Sequence, residues 1–237
     1  MNKTMFYTAV GYLVLKRGPE RQPYPVVVVN RREHMMEPIA MLLWSRLCWR
    51  LWDRDHLQRE YEAAVHEVAG VDARQMEQAF DDILSQLICR GLVAAGEGNN
   101  QVDALYDLVA DLYVSPLAAG FGSRLSAFSK LLASGRAAGA IVGRAKQKDR
   151  TTEEERRILR LAHQALLSTA ELIKCEESGV QDISDSEKLL ETLYYDDETT
   201  CYNIAHLMRQ SGKRDAVVMA VCNLFLHKQI VFQRACL

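Results

Sequence analysis

The chain has 237 residues, 49% of them apolar, with 29 lysines and arginines against 31 aspartates and glutamates. That is enough apolar material for one large or two small hydrophobic cores. The formal net charge of -2 excludes a global pull toward nucleic acid or an anionic membrane, so any basic surface must be local. The six cysteines, at 48, 89, 175, 201, 222 and 236, stand far apart with no CxxC pair. They read as reduced core residues of a cytoplasmic protein.

Met5 to Leu15 is apolar and follows Lys3, but it is too short to span a bilayer and has no small-residue cleavage site, so it reads as strand. Thr8 to Leu15 and Val26 to Val29 are β-rich, and the loop between them carries Pro19, Pro23 and Pro25; together they predict a hairpin. Pro38 opens a first helix in which Ile39, Leu42, Leu43, Leu47 and Leu51 recur at helical spacing, running to about Trp52. Asp53 or Asp55 caps a second helix, Gly70 breaks it, and Asp72 caps a third whose stripe is Met76, Phe80, Ile83, Leu84, Leu87 and Ile88. Gly91 ends that helix, Leu92 and Val93 start a strand, and Gly96 to Asn100 reads as a turn.

Val102 to Tyr113 predicts a short amphipathic helix stopped by Pro116. Residues 117–150 are basic and rich in glycine and alanine, a linker composition. Thr151 and Thr152 each precede a glutamate by three residues and offer capping boxes for one long helix from Glu153 to about Cys175, able to connect two domains or to pack against its copy in a homodimer. Ser184 with Glu187 opens a further helix, Thr199 or Thr200 caps the next, and Gly212 makes a turn. Asp215 to His227 is the last helix, ending in the strand Ile230 to Phe232.

One phrase occurs twice. Ile83 to Val93 and Val221 to Val231, offset by 138 positions, both read as an apolar helix, a basic turn and a β-branched strand. The fold class is therefore mainly α with small β-hairpins (α+β), in two similar domains joined by a helical linker. The divisions are 1–116, 117–150, 151–178 and 179–237.

Three helices running into a strand through such a turn resemble the winged helix-turn-helix superfamily over about residues 6–100 and 184–237. The first part also resembles a PqqD-type peptide-recognition domain, on its hairpin, the helix bearing Trp44 and the ending Arg90-Gly91-Leu92-Val93. The family's Leu-Asn-x-Thr opening of the first helix is replaced here by Met35-Met36-Glu37-Pro38. The resemblance implies a peptide clamp formed by Val26 to Val29 and the exposed positions of Ala73 to Arg90.

No glycine-rich phosphate cradle, HExxH, GxSxG or CxxC is present, and the six histidines lack metal-ligand spacing. No catalytic activity, cofactor, metal site or membrane association is expected. If a third helix reads double-stranded DNA, phosphates need nearby cations. The first third helix exposes Arg74, Gln75 and Gln78 but also Glu77, Asp81 and Asp82, and is a poor DNA reader. The second offers Arg209, Lys213, Arg214, Asn223, Lys228 and Arg234, with Arg144, Lys146, Lys148 and Arg150 of the linker as accessory phosphate contacts. The sequence thus reads first as a DNA-binding transcription regulator. Its alternative is a protein or peptide interaction module using the N-terminal hairpin edge and third helix.

Overall fold

The computed structural model describes residues 3–17, 23–69, 73–117, 151–183, 185–194 and 198–235. Its first β-rich run is broken by Gly11, at φ +89, where a Cβ would lie 2.6 Å from the Val28 carbonyl oxygen. Only glycine fits there. The result is two strands, β1 (Thr4–Ala9) and β2 (Tyr12–Arg17), in different sheets.

The expected hairpin is formed by β2 and β3 (Pro23–Val29) in antiparallel register from Tyr12↔Val28 to Arg17↔Pro23, with β4 (Arg32–His34) on the far side of β3. Asn30 (φ 46) and Arg31 (φ 64) join β3 to β4. Two successive left-handed residues make a type I′ loop, which closes a hydrogen-bonded pair, here Val29 with Arg32. By alternation, the backbone of Val27, Pro25 and Pro23 faces the β4 side. The prolines have no N–H to offer, which accounts for a fourth strand of only three residues.

Three helices follow: α1 (Pro38–Leu47), α2 (Arg54–Ala69) and α3 (Ala73–Cys89). The first ends before the predicted Trp52 because Cys48 is extended (ψ 118) and Trp49 then turns left-handed at φ 52. Trp52 then exchanges backbone hydrogen bonds with Tyr7 of β1, at 2.8 and 3.2 Å. Asp53 caps α2 as expected, accepting from the His56 N–H at 2.8 Å. Gly70 and Asp72 lie outside the described residues.

Of the stretch expected as a glycine turn, Gly96 to Gly98 instead end β5 (Val93–Gly98), which pairs antiparallel with β1 from Ala9↔Val93 to Thr4↔Gly98, and only Asn99 and Asn100 bend. The glycines answer to packing. α4 (Gln101–Val109) lies directly on this strand, and a Cβ on Gly96 would sit 2.1 Å from the Leu108 nitrogen. The helix predicted to reach Tyr113 stops at Val109, and Tyr113–Pro116 is a strand, β6.

The single helix expected from Glu153 to Cys175 is two: α5 (Glu153–Gln164) and α6 (Thr169–Glu177), separated by the short strand β7 (Leu167–Ser168). Thr152 with Glu155 forms the predicted capping box. The break occurs where Ala165 is extended (φ -145, ψ 154) and Ser168 with Glu171 forms a second capping box, satisfying the exposed N–H groups of a new helix. Next come α7 (Ser186–Tyr194), α8 (Ile204–Met208), α9 (Arg214–Leu226) and β8 (Ile230–Gln233). The last strand pairs with β6, giving a sheet of order β7-β6-β8. Ser184 lies outside the described residues.

The repeated phrase has a structural basis, with its register corrected by one residue. Gly91 and Lys228 donate to Ile88 and Phe225, and Leu92 and Gln229 donate to Leu87 and Leu224, all at 2.9 Å. Both are Schellman helix ends, and they superpose at an offset of 137. Phe80, Leu84, Leu87 and Val93 then correspond to Val217, Val221, Leu224 and Ile230, all buried.

The buried apolar residues form one contiguous cluster from Tyr7 to Phe232. Three hydrogen bonds pin the first half to β8: Gly11 N–H to the Phe232 carbonyl (2.7 Å), Trp49 Nε1–H to the Ile230 carbonyl (3.1 Å) and Asn30 N–H to Gln233 Oε1 (2.8 Å). Of the cysteines, Cys175 and Cys222 are buried and Cys48 is half-buried, whereas Cys89 and Cys201 are exposed rather than in the core. Cys236 lies outside the described residues. Among the described residues no helix is long and apolar enough to cross a membrane.

Candidate interaction surfaces

Of the predicted DNA-contacting residues, Arg209, Lys213 and Arg214 come together at the turn from α8 into α9. Two of them are already engaged. Arg209 Nη2 donates to Asp107 Oδ1 at 2.9 Å, and Arg214 pairs with Asp103 Oδ1 at 3.0 Å and Asp215 Oδ1 at 2.7 Å. Their guanidinium carbons lie 5.1 and 5.7 Å from the ring centre of Tyr106, within cation–π range. Tyr106 is fully buried and donates its hydroxyl to the Ala205 carbonyl. Burial pushes its phenol up to about 12, against the pull of Arg209.

The acids that hold these arginines are themselves fixed. Asp107 Oδ2 accepts from the Glu97 N–H of β5 at 3.0 Å, and Asp103 Oδ2 accepts from Asn100 Nδ2 at 2.7 Å. The helix α4 therefore couples the β1–β5 sheet to the α8–α9 turn. Asp103, Tyr106 and Asp107 were not singled out from sequence. The visible signal is an aromatic flanked by acids four residues apart, on one face of a helix.

Lys228 and Arg234 lie beyond the other end of α9, roughly 20 Å along the helix from Arg214. Lys228 is exposed, at φ 60, with its ammonium 5.6 Å from the Trp49 ring. Arg234 is half-buried beside Gly91, and Asn223 is half-buried on α9. The helix packs against α4, α5 and α6, and its exposed residues are Asp215, Ala216, Met219 and Leu226. No cation stands on that face. Arg144, Lys146, Lys148 and Arg150 lie outside the described residues, as do the side chains of Arg74, Gln75, Glu77 and Gln78. On α3, Asp81 is held by Arg54 Nη2 at 2.7 and 2.9 Å.

Two buried carboxylates elsewhere have structural duties. Glu171 accepts from the Ser168 N–H at 2.6 Å and from the Tyr194 hydroxyl at 2.5 Å. Glu176, pushed up by burial, is paired with Arg157 at 2.9 Å. Among the described residues no cluster of three histidine, cysteine, aspartate or glutamate side chains could hold a metal ion.

The N-terminal sheet presents a different kind of surface. Of Val26 to Val29, the strand that the peptide-clamp resemblance implicates, Val26 to Val28 pair with β2 and Val27 to Val29 with β4, so Val27 and Val28 are covered on both sides. The free edge belongs to β2. Its pairing with β3 uses the backbone of Tyr12, Val14 and Lys16, because β3 turns Val27, Pro25 and Pro23 the other way. The backbone of Leu13, Leu15 and Arg17 therefore faces outward, and among the described residues no strand pairs with it.

The other edges carry devices that block pairing. Gly11 and Trp49 occupy carbonyls of β8, Trp52 bridges β1, Asp107 caps the Glu97 N–H of β5, β4 has three residues and β7 two. On β2, Leu13 is buried, Tyr12, Val14, Leu15 and Lys16 are half-buried, and Arg17 is exposed. Lys16 Nζ lies 2.5 Å from Glu33 Oε1, and that bond holds the ammonium above its usual range. No protein-family model, curated protein or solved structure matches the chain.

Proposed function

We infer that this chain is a protein-interaction module that takes up an extended polypeptide segment as an added strand on the outer edge of β2. The observation that supports this reading is the contrast among edges: β2 turns the backbone of Leu13, Leu15 and Arg17 outward over about 13 Å with no strand paired to it among the described residues, where neighbouring edges are short, bridged or capped. Strand addition draws affinity from main-chain hydrogen bonds and selectivity from alternate side chains.

Panning a random twelve-residue peptide display library on the full chain tests it. Selected peptides should lose binding when alternate backbone amides are N-methylated. They should also lose it to Leu15→Pro, which removes an outward N–H while sparing the β2–β3 ladder. Equal binding by Leu15→Pro and the parent, with both folded by circular dichroism, would sink the reading.

A second reading keeps the two halves as winged-helix-like domains of a homodimeric DNA-binding regulator. It is favoured by Lys213 and Lys228, both exposed. Lys213→Glu with Lys228→Glu would then abolish a salt-dependent shift of duplex DNA. An unchanged shift, or none in the parent, removes it.

A further inference from the structure

We propose that the exposed side of α9 is the contact between two copies of this chain, their α9 helices running antiparallel across a two-fold axis at the level of Val221. This does not depend on strand addition at β2. The helix is apolar nearly all round. Val217, Val218, Val221, Leu224 and Phe225 are buried in the molecule's own core, yet the opposite side carries Ala216, Met219 and Leu226. Met219 and Leu226 are 43% and 38% exposed. A helix with apolar residues on every side belongs inside an assembly. The exposed strip covers about a third of the helix circumference, bounded by buried Ala220 on one side and buried Cys222 on the other.

The spacing of the strip identifies its occupant. Its positions are Asp215, Ala216, Met219, Asn223, Leu226 and, just past the helix, His227; Asn223 is half-buried and the others are exposed. They mirror one another about Val221: 215 with 227, 216 with 226, 219 with 223. An isologous contact between antiparallel helices requires such a mirror, because each residue meets its reflection on the other copy. Ala216 then lies against Leu226 of the second copy, small against large, which lets the two strips interdigitate. Met219 meets Asn223 of the second copy. Asp215, whose Oδ1 is held by Arg214 at 2.7 Å, presents its other oxygen to the His227 imidazole, a hydrogen-bond donor for it.

The charges agree with this arrangement. Antiparallel helices set the positive N-terminus of each beside the negative C-terminus of the other. Arg214 and Lys228 are a mirrored pair of like charge, but both are drawn off the strip, Arg214 onto Asp103 and Tyr106 and Lys228 toward Trp49. What remains is apolar with a carboxylate at one end, which suits a second copy and not a phosphate backbone.

A single helix pair is a small interface, so in sedimentation velocity the full chain should pass from monomer to dimer over about 5–200 μM. Met219→Lys should weaken association at least about tenfold, because the two-fold axis makes the substitution count twice. Met219→Leu should change it by less than about twofold. Asp215→Lys and His227→Glu should each weaken the dimer, and combined in one chain they should restore it. These side chains are exposed, and circular dichroism checks that each variant is folded.

Cross-linking reads the register. With Cys89, Cys201 and Cys236 replaced by serine, a mixture of Ala216→Cys and Leu226→Cys chains should oxidise to a heterodimer. Neither chain should cross-link to itself, since like positions stand about 15 Å apart along the antiparallel pair. Leu15→Pro, on the β2 edge, should dimerise as the parent does. A chain that stays monomeric throughout, a dimer indifferent to Met219→Lys, a dimer lost in Leu15→Pro, or self-cross-linking of Ala216→Cys chains would each overturn the proposal.

Discussion

The two halves of the molecule are built on one plan and differ by what is inserted into it. In the first, β1 is the central strand, bridged on one side by Trp52 between α1 and α2 and paired on the other with β5 after α3. In the second, β6 takes that place, with β7 between α5 and α6 on one side and β8 after α9 on the other. Each strand following the last helix thus pairs with the strand that precedes the first helix, and no separate hairpin is needed to complete the sheet. Between β1 and α1 the first half inserts the β2–β3–β4 sheet, whose bare edge has no described counterpart in the second. The common plan supplies the scaffold, and the inserted sheet carries the surface that an added strand could use.

That comparison can be broken first at its core. Trp44 is buried and donates to the carbonyls of Leu92 (3.0 Å) and Val10 (3.3 Å), while Phe232 stacks on Phe225 at 4.5 Å. Trp44→Ala and Phe232→Ala are each expected to cost about 4 kcal/mol. Because both side chains belong to one cluster, each variant should lower a single urea transition seen by circular dichroism. Two separated transitions would show that the halves fold independently.

Gly96→Ala comes next. It places a methyl group against the backbone of α4 and should cost at least about 3 kcal/mol, whereas Gly212→Ala, with nothing within 4 Å, should stay within about 0.5 kcal/mol in the same measurement. Asp103→Asn with Asp107→Asn removes the charges facing Arg214 and Arg209. A loss of about 1 kcal/mol is expected, shrinking as salt is added, and a salt-independent loss would assign the effect to the Asn100 and Glu97 hydrogen bonds instead.

The two helix ends give a finer comparison. Gly91→Lys should cost about 1 kcal/mol for a side chain in the left-handed region. Lys228→Gly relieves that strain but gives up the contact with Trp49, so its net change should be under about 1 kcal/mol. Thermal melts of the pair would show whether the second half tolerates the lysine because of Trp49.

The smallest effect concerns pH. The folded chain favours neutral His34, so between its lowered value and the ordinary histidine range the unfolded chain binds more protons. Stability is therefore lost as pH falls through that window, and His34→Gln should flatten the decline of the urea midpoint between about pH 7 and 5.

Local rules made much of this architecture legible. Asp53, Thr152 and Gly91 mark helix ends because capping satisfies backbone groups within a few residues. The β2–β3 hairpin follows from β-branched runs around a proline-rich loop. What failed was non-local or ambiguous in period. The stripe from Ile158 to Ile173 continues through Ala165, Leu166 and Thr169 without a gap, so the period alone gives one helix although Ser168 and Glu171 carry the chemistry of a new start. Tyr113 to Pro116 becomes a strand only because β8 arrives from more than a hundred residues away. The cations of the α8–α9 turn were legible, but their partners on α4 depend on packing between the halves.

The positions of the three tryptophans give the molecule its own optical reporters. Trp44 lies within the first half, Trp49 bonds to β8 at the seam between the halves, and Trp52 stacks on His56 at 5.6 Å. Variants retaining one indole at a time would therefore emit separately from the interior of one half, from the joint, and from an indole stacked on an imidazole.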